Sequence, residues 1–309
     1  MENNQSSFTA FIASFSRAYH SENDDPKIFN DTIARQLMTD EEYNQIAGYM
    51  ASGIDFFAPE TKAELSDPND ALKWVVQTQL APNSLARARY CEDMLMNAIK
   101  LGAKQYVILG AGMDTFAYRS PELLSKIDVF EVDHPDTQKF KKQKVEQAGW
   151  DTPENLHYVP MNFTKDSLSV ELKNSSFDTQ LITFFSWLGV TYYLSKVDNA
   201  NMIKTVSALS ADGSSLLFDC TDNKFLSSDV KRVQNHIAMA KIAGEPMQTG
   251  YGYGELEELL AENNFLLYEH LTTSDIEKQF FANRNDYLHA FEHFNYALAV
   301  KKATLRSVC

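Results

Sequence analysis

The chain has 309 residues, of which 44% are hydrophobic and 23% charged, and its formal net charge is −14. This length fits one large domain or two small ones, and the composition is that of an ordinary globular protein. The excess of acidic residues argues against a nucleic-acid partner, because neutralising phosphates takes clustered Lys and Arg.

Residues 1 to about 100 are predicted to form an N-terminal helical region that packs on the core. Apolar residues recur there at helical spacing, and turns are indicated at Pro59, 67–70 and 82–84. The apolar positions form two groups: Phe8, Phe11, Ile12 and Phe15, then Ile28, Phe29, Ile33, Ala34 and Leu37.

From Gln105 onwards predicted strands alternate with helices, which is the pattern of a parallel sheet. The predicted strands are 106–109, 129–132, 156–159, 178–185, 215–219, 265–270 and 296–301. Helices are predicted from Pro135 to just before Gly149, over 196–209 and over 254–263. Residues 101–309 are therefore expected to form a doubly wound, mostly parallel α/β domain, with a helical lid inserted at about 222–250.

Four lysines fall on the helix that begins at Pro135, and we interpret them as a solvated helix face: Lys139, Lys141, Lys142 and Lys144.

Residues 107–119 read VILGAGMDTFAYR, a buried strand that passes through Gly110, Ala111 and Gly112 into a helix. Because glycine has no side chain, such a turn lets backbone approach a bulky ligand. Asp133 ends the next strand, where a carboxylate can accept hydrogen bonds from both ribose hydroxyls. Glu131 lies on the same strand face and is the competing carboxylate. The glycine turn alone could lack a ligand, and the strand-end Asp133 alone could be a helix cap. The two features together predict a bound nucleoside.

The residues after the glycines indicate which nucleoside. Dinucleotide sites have a third glycine near the pyrophosphate, and Thr115 stands in its place. Asp114 would repel a phosphate but suits an ammonium group. Both features favour S-adenosylmethionine, which has a ribose, an adenine and an amino acid end without phosphate. A nicotinamide-dependent oxidoreductase is the alternative.

Three segments resemble the leucine carboxyl methyltransferase family: RARYCEDMLMNAIKLGAKQYVILGAGMDTFAYRSPEL, FEVDHPDTQKFKKQKV and FFSWLGVTYYLSK. The likeness continues in SRAYHSENDDPKIFND and in GEP…FFANRNDYL, and so covers most of the chain. It is greatest to bacterial members that resemble polyketide O-methyltransferases. The resemblance implies a class I methyltransferase fold of Rossmann-like type, S-adenosylmethionine as cofactor, and a small-molecule methyl acceptor.

The resemblance also implies roles for single residues in binding the cofactor. Arg87 matches the arginine that pairs with the methionyl carboxylate, a task suited to a guanidinium fork, and Arg89 is its rival. The glycine turn matches the cofactor loop, and the strand-end carboxylate matches the ribose acid. Asn162 and Phe163 fall where the family has an acid and an apolar residue near the adenine. Arg17 matches a basic residue that reaches the cofactor from the N-terminal segment, or is a surface charge.

The acceptor side is less clearly marked. Where the protein-methylating branch of the family has a glutamate, this chain has Leu188, so methylation of a protein C-terminus is not expected. Trp187, Tyr192 and His236 are candidates for the substrate cavity, with core packing as the alternative for Trp187. Tyr192 and Tyr193 could each donate a hydroxyl to the substrate, although at least one of them is expected to pack in the core. His236 and Tyr192 are guesses for a general base, which a hydroxyl acceptor would need and a carboxylate would not. A non-catalytic S-adenosylmethionine-binding protein is the second alternative.

The remaining signals concern metals and location. Cys91, Cys220 and Cys309 are far apart and odd in number, which indicates neither a disulfide framework nor a zinc site. His289 and His293 have no third ligand type nearby, and no Ser/His/Asp arrangement with nucleophile-elbow glycines occurs. We see neither a signal peptide nor an apolar stretch of membrane-spanning length. A cytoplasmic protein without a metal or membrane contact is expected.

Overall fold

A seven-stranded sheet forms the centre of the computed structural model, which describes residues 5–163 and 165–303; Cys309 lies outside them. The strands are β1 Gln105–Leu109, β2 Asp128–Asp133, β3 Leu156–Pro160, β4 Thr183–Trp187, β5 Ser215–Thr221, β6 Phe265–Leu271 and β7 Phe294–Lys301. Their order is β3-β2-β1-β4-β5-β7-β6. Strands β1 to β5 run parallel, and β7 is antiparallel to both β5 and β6. The predicted mostly parallel, doubly wound sheet is confirmed.

Thirteen α-helices accompany the sheet in the described part of the chain. They are α1 Gln5–Asn23, α2 Asp40–Ser52, α3 Ile54–Phe57, α4 Pro68–Val75, α5 Ala81–Lys100, α6 Phe116–Arg119, α7 Pro121–Leu124, α8 Pro135–Gln147, α9 Leu168–Lys173, α10 Lys196–Leu209, α11 Lys231–Ile242, α12 Tyr253–Glu262 and α13 Thr273–Ile276. A π-helical segment, Val76–Leu80, joins α4 to α5, and a second, Glu277–Phe281, follows α13.

The N-terminal helices share their hydrophobic core with one side of the sheet. Tyr90 of α5, for example, stacks on Tyr296 of β7 with ring centroids 5.8 Å apart, and its hydroxyl donates to Glu269 of β6. The interpretation of the apolar spacing over 28–37 as helical is wrong, because in this segment only Ala34–Leu37 forms a helix, and it is a short 3₁₀ helix. Burial of Ile28 and Phe29 in this core, rather than helical hydrogen bonding, fixes that segment.

The fourth strand begins later than the sequence pattern indicates. Residues before Thr183 form a turn, in which the carboxylate of Asp178 accepts from the backbone N–H of Gln180 at 2.8 Å. The side chain of Gln105 in β1 holds the same turn through the backbone N–H and C=O of Asp178. The first part of the predicted strand 178–185 therefore forms a hydrogen-bonded turn and does not pair with a neighbouring strand.

Residues 222–250 leave the sheet after β5 and return beside their starting point, since Asp222 and Tyr251 form a parallel bridge. Helix α11 lies in this insertion. Its Asn235 side chain donates to the carbonyl of Phe57 at 3.0 Å, and its Arg232 donates to the carbonyl of Ala290 at 3.0 Å. The insertion is thus fastened to the N-terminal helices and to the segment before β7.

The lysines of α8 divide into two faces, so their interpretation as one solvated face is wrong. Lys139 and Lys142 are exposed. Lys141 and Lys144 are buried and form ion pairs with Glu131 of β2 and Glu42 of α2. The buried pair is three positions apart, i and i+3, which places both lysines on the helix face that packs inward.

Over residues 5–163 and 165–303, no helix is both long enough and apolar enough to cross a membrane.

Candidate active site

A cavity of about 470 Å³ opens at the carboxyl ends of β1, β2 and β4. Its volume falls in the range of small-molecule sites, and it lies where the strand order reverses between β1 and β4, the usual ligand position in such sheets. The cavity wall brings together eight residues singled out in the sequence: Arg17, Arg87, Gly110, Ala111, Gly112, Asp133, Asn162 and Phe163.

The glycine loop after β1 leaves no room for side chains. Gly110 has φ +80°, and a Cβ there would lie 2.9 Å from Cγ2 of Val190. Gly112 has φ +52°, and a Cβ there would lie 3.1 Å from Cβ of Ala10 in α1. Both the left-handed backbone and the close neighbours require glycine. Helix α1 therefore lies directly against the loop.

Asp133 ends β2 on the cavity wall. Its two carboxylate oxygens accept from the backbone N–H groups of Gly112 and His134, the latter at 2.6 Å. Burial raises the pKa of this carboxyl, although the two backbone donors lower it. Each carboxylate oxygen has two lone pairs, so both can accept a further hydrogen bond from a ligand. His134 caps α8, as its Nδ1 accepts from the N–H of Asp136 at 3.3 Å.

Glu131, the competing carboxylate, is not on the cavity wall. It is fully buried and accepts from Nζ of Lys141 at 2.5 Å. Burial raises the pKa of Glu131 to about 7, despite the nearby ammonium group. The structure therefore leaves Asp133 as the carboxylate of β2 that a ligand in the cavity can reach.

Arg87 projects from α5 to the end of β4. Its Nη1 donates to Oδ2 of Asp219 at 3.0 Å and to the hydroxyl of Tyr192 at 3.1 Å. A Cβ on Gly189 would lie 2.8 Å from Nη2 of Arg87, so the guanidinium packs against this glycine. The rival Arg89 is exposed and pairs with Asp93 on its own helix.

Arg17 joins α1 to the glycine loop. Its Nη2 donates to the carbonyl of Met113 at 2.7 Å, and its Nε pairs with Asp31 at 2.9 Å. Asp31 is fully buried and also accepts from the hydroxyl of Thr115 at 2.8 Å, while Nε of Arg119 lies 3.6 Å from its other oxygen. Sequence reasoning missed Asp31, which has no local signal because its partners are distant in the chain.

Asn162 and Phe163 follow β3 and line the cavity beside His134. The backbone N–H of Asn162 donates to the carboxylate of Asp166 at 2.8 Å, which orders this turn. Nδ2 of Asn162 lies 3.4 Å from Nε2 of His134.

The three acceptor-side candidates lie outside the cavity wall. Trp187 is fully buried in the core against Phe218. Tyr192 lies behind Arg87, and burial raises the pKa of its hydroxyl well above the ordinary value. His236 packs against Phe291, with ring centroids 4.9 Å apart, and burial lowers its pKa to about 4. A bulky core residue and a cavity residue have the same local sequence pattern at a strand end, so the pattern could not separate them.

Other residues complete the wall next to β4. Leu188, Val190, Tyr193 and Leu194 line the cavity from the segment after this strand. Glu245 of the insertion also lines the cavity, and its carboxylate accepts from the hydroxyl of Thr9 in α1 at 3.0 Å. Glu245 is the insertion's one wall residue in the described chain, so α1 covers the cavity more than the expected lid does.

The structure also contains a Ser/His/Asp contact that the sequence did not reveal. Nδ1 of His293 lies 2.9 Å from Asp222, and Nε2 lies 3.0 Å from the hydroxyl of Ser228. That hydroxyl also accepts from the N–H of Val230 just before α11. None of these residues lines the cavity, and together they attach the start of the insertion to β7. In the described ranges, no group of three or more His, Cys, Asp or Glu side chains is arranged to hold a metal ion.

Comparison with known proteins shows similarity over nearly the whole chain. The family model "Leucine carboxyl methyltransferase" matches residues 10–207. A Bacillus subtilis protein named "Putative S-adenosyl-L-methionine-dependent methyltransferase YktD" is 47% identical over 305 residues, which are 98% of this chain and 100% of that protein. A Mycobacterium marinum protein with the same description is 31% identical over 209 residues, which are 67% of this chain and 64% of that protein.

Among solved structures, a DUF574 family protein from Streptomyces avermitilis has a similar fold. Its TM-score is 0.56 at 12% sequence identity, and the match covers 93% of this chain and 96% of the other.

Proposed function

We propose that this chain, which belongs to the leucine carboxyl methyltransferase family and is an S-adenosylmethionine-dependent methyltransferase, methylates a carboxylate or hydroxyl oxygen of a small molecule. The observation that supports this most is the single cavity whose wall includes the glycine loop, the strand-end carboxylate of Asp133 and the guanidinium of Arg87.

The residues of this wall fit the parts of S-adenosylmethionine. Asp133, with lone pairs to spare, suits the ribose hydroxyls, and the tight glycine loop lets the ligand lie against backbone. Asn162 and Phe163 suit an adenine, through an amide and an apolar ring. Arg87 and Arg17 suit the methionyl carboxylate, because a guanidinium matches a carboxylate in charge and geometry.

A phosphate fits the same loop poorly. Oδ1 of Asp114 accepts from the backbone N–H of Phe116 at 2.8 Å, at the point where α6 begins. A negative charge therefore already occupies the place where a dinucleotide would bring its pyrophosphate. This observation supports the methyltransferase over the nicotinamide-dependent oxidoreductase.

The protein's part in the reaction is chiefly positioning. The cofactor, when bound, supplies a methyl group that its sulfonium has already activated. The side chains must then hold the acceptor oxygen in line and exclude water. Arg87 is fixed by Asp219, Tyr192 and Gly189, so a carboxylate that it binds has one position.

Tyr193 provides a hydroxyl next to this position. Burial raises its pKa to about 12, with Glu245 raising it further and Arg87 opposing. Tyr193 is therefore protonated at neutral pH and acts as a hydrogen-bond donor rather than a general base. Leu188, an apolar wall residue where the protein-methylating branch has a glutamate, favours a small-molecule acceptor.

Thermal shift measurements with four ligands test the cofactor assignment. S-adenosylmethionine and S-adenosylhomocysteine should stabilise the protein, because binding to the folded state alone raises its apparent stability. NAD and NADP should not. Stabilisation by NAD alone would favour the oxidoreductase.

A screen of carboxylate and hydroxyl acceptors, with product detected by mass, tests catalysis. A product methylated on oxygen is expected. Tight S-adenosylmethionine binding without transfer to any acceptor would instead support a non-catalytic binding protein.

A further inference from the structure

Part of the cavity wall is not taken up by the proposed cofactor contacts. One stretch of it is formed by the segment after β4, with Val190, Tyr193 and Leu194, together with Thr9 of α1 and Glu245 of the insertion. This stretch follows Gly189, which packs against Arg87, so the proposed function puts the methyl acceptor next to it. Four of these residues carry no formal charge, so Glu245 dominates the electrostatics of this part of the wall.

The positive charges of the wall are already neutralised. Each guanidinium has a carboxylate partner: Arg17 with Asp31, Arg87 with Asp219, and Arg119 with Glu92. Because the proposed function gives the remaining donors of Arg17 and Arg87 to the methionyl carboxylate, an acceptor with a carboxylate would have to compete with the cofactor or displace Glu92 from Arg119.

The negative charges of the wall are not all neutralised. The wall has five carboxylates against its three guanidinium groups: Asp31, Glu92, Asp114, Asp133 and Glu245. Asp133 and Asp114 each accept from backbone N–H groups, and Asp133 is assigned to the ribose. Glu245 accepts from the hydroxyl of Thr9, and no basic side chain within residues 5–163 and 165–303 forms an ion pair with it.

We infer that the acceptor is a hydroxyl compound that also carries a protonated amine, and that the amine pairs with the carboxylate of Glu245. In a partly enclosed cavity, a cation next to this carboxylate gains more Coulomb energy than in water, and an anion loses as much. The ring of Tyr193 on the same wall adds an aromatic face that favours a cation. This inference rests on the proposed function and narrows its acceptor from carboxylate or hydroxyl to an amine-bearing hydroxyl.

Three phenols of matched shape test the inference: tyramine, 4-ethylphenol and 3-(4-hydroxyphenyl)propionate, which are cationic, neutral and anionic. Their affinities are measured by isothermal titration against the protein saturated with S-adenosylhomocysteine. Tyramine should bind at least tenfold more tightly than the propionate, with 4-ethylphenol between them.

Variants of Glu245 give the specific readout. Glu245→Gln should bring the three affinities within about threefold of one another, and Glu245→Lys should reverse their order. S-adenosylhomocysteine affinity should be unchanged in both variants, which also shows that they fold. Glu258→Gln, an exposed change on α12, is the matched control and should leave the order as in the wild type.

The inference is overturned if tyramine fails to bind, if the propionate binds as tightly, or if the preference persists in Glu245→Gln. Failure of the proposed function is separate: it would appear as no O-methylated product from any acceptor in the screen of carboxylates and hydroxyls with S-adenosylmethionine. Methyl transfer to 4-ethylphenol without tighter binding of tyramine would support the proposed methyltransferase function but reject the role of Glu245 in binding an amine.

Discussion

Glu131 and Asp133 show how the surroundings of a residue decide its role. Both are carboxylates on β2, and both are almost entirely buried. Glu131 neutralises the ammonium group of Lys141 within the core, whereas Asp133 accepts from backbone N–H groups on the cavity wall. The first arrangement maintains the fold, and the second leaves acceptor sites open to a ligand.

Substitution of these two carboxylates should therefore have different effects. Asp133→Ala should weaken S-adenosylhomocysteine binding by about 1–3 kcal/mol, the scale of hydrogen bonds to a charged acceptor. Glu131→Ala should leave that affinity unchanged but lower the free energy of unfolding by about 3–5 kcal/mol, because Lys141 loses its buried hydrogen-bond acceptor and a cavity remains in the core. Calorimetric titration and urea unfolding measure the two effects. The opposite pattern would make Glu131 the ligand carboxylate.

Arg87 has a structural partner as well as a proposed ligand, and two cofactor fragments separate these roles. Arg87→Lys keeps the charge but loses the bidentate fork, so S-adenosylhomocysteine should bind more weakly, and Arg87→Ala should weaken it further. 5′-Methylthioadenosine lacks the amino acid end and should be nearly insensitive to both. Arg89→Ala, on the exposed side of α5, is the control. Equal losses for both ligands would mean that Arg87 supports the fold or the nucleoside.

At the scale of elements, α5 and the turn after β4 meet where Gly189 packs against the guanidinium of Arg87. Gly189 has φ +76°, and an added Cβ would overlap the guanidinium. The segment after β4 therefore positions the arginine through the backbone at Gly189 as well as through the hydroxyl of Tyr192.

Gly189→Ala should displace Arg87 and also strain a left-handed residue by about 1–2 kcal/mol. S-adenosylhomocysteine affinity should fall by at least tenfold, while 5′-methylthioadenosine affinity should change little. Gly48→Ala is the contrasting control: it lies inside α2 with open space around it, so it should stabilise the protein by about 0.5–1 kcal/mol. Unchanged S-adenosylhomocysteine binding in Gly189→Ala would contradict the positioning role.

The elements that the sequence predicts well are those with strong local signals. β1 and α8 are found within one or two residues of their predicted bounds, and α10 at the predicted residues, because an apolar run, a proline start and a serine cap mark them. The cofactor-site residues that followed from local motifs or from family resemblance, such as Gly110 and Asp133, lie on one cavity, whereas the acceptor-side candidates do not.

What the sequence could not predict depends on contacts between distant residues. Asp31 meets Thr115 across 84 positions, and Thr9 meets Glu245 across 236. The burial of the Lys141 side chain likewise depends on a carboxylate of β2 and not on the sequence of its own helix. No periodicity within a segment contains such information.

At the scale of the whole molecule, the net charge of −14 is accompanied by buried groups that titrate far from their ordinary values. Two of them, Glu131 and His236, change the free energy of unfolding in opposite directions at mildly acidic pH. Burial raises the pKa of Glu131 to about 7, so its folded form holds more protons than its unfolded form from there down to about 4.5. This group stabilises the fold as pH falls through that window, and its contribution is lost as pH rises through 7.

His236 acts in the other direction, and its removal gives a measurable pH effect. Burial lowers its pKa from 6.5 to about 4, so the unfolded state holds more protons between these values. The free energy of unfolding therefore falls as pH falls through this window, by at most about 1.4 kcal/mol per pH unit. His236→Phe keeps a ring against Phe291 and Phe294 and cannot titrate.

Urea unfolding at pH 6.5, 5.5 and 4.5 should show a smaller loss of stability in the His236→Phe variant than in the wild type. His289→Gln, at an exposed histidine, should follow the wild-type curve. Parallel curves for wild type and His236→Phe would mean that His236 takes up a proton in the folded protein as readily as in the unfolded chain.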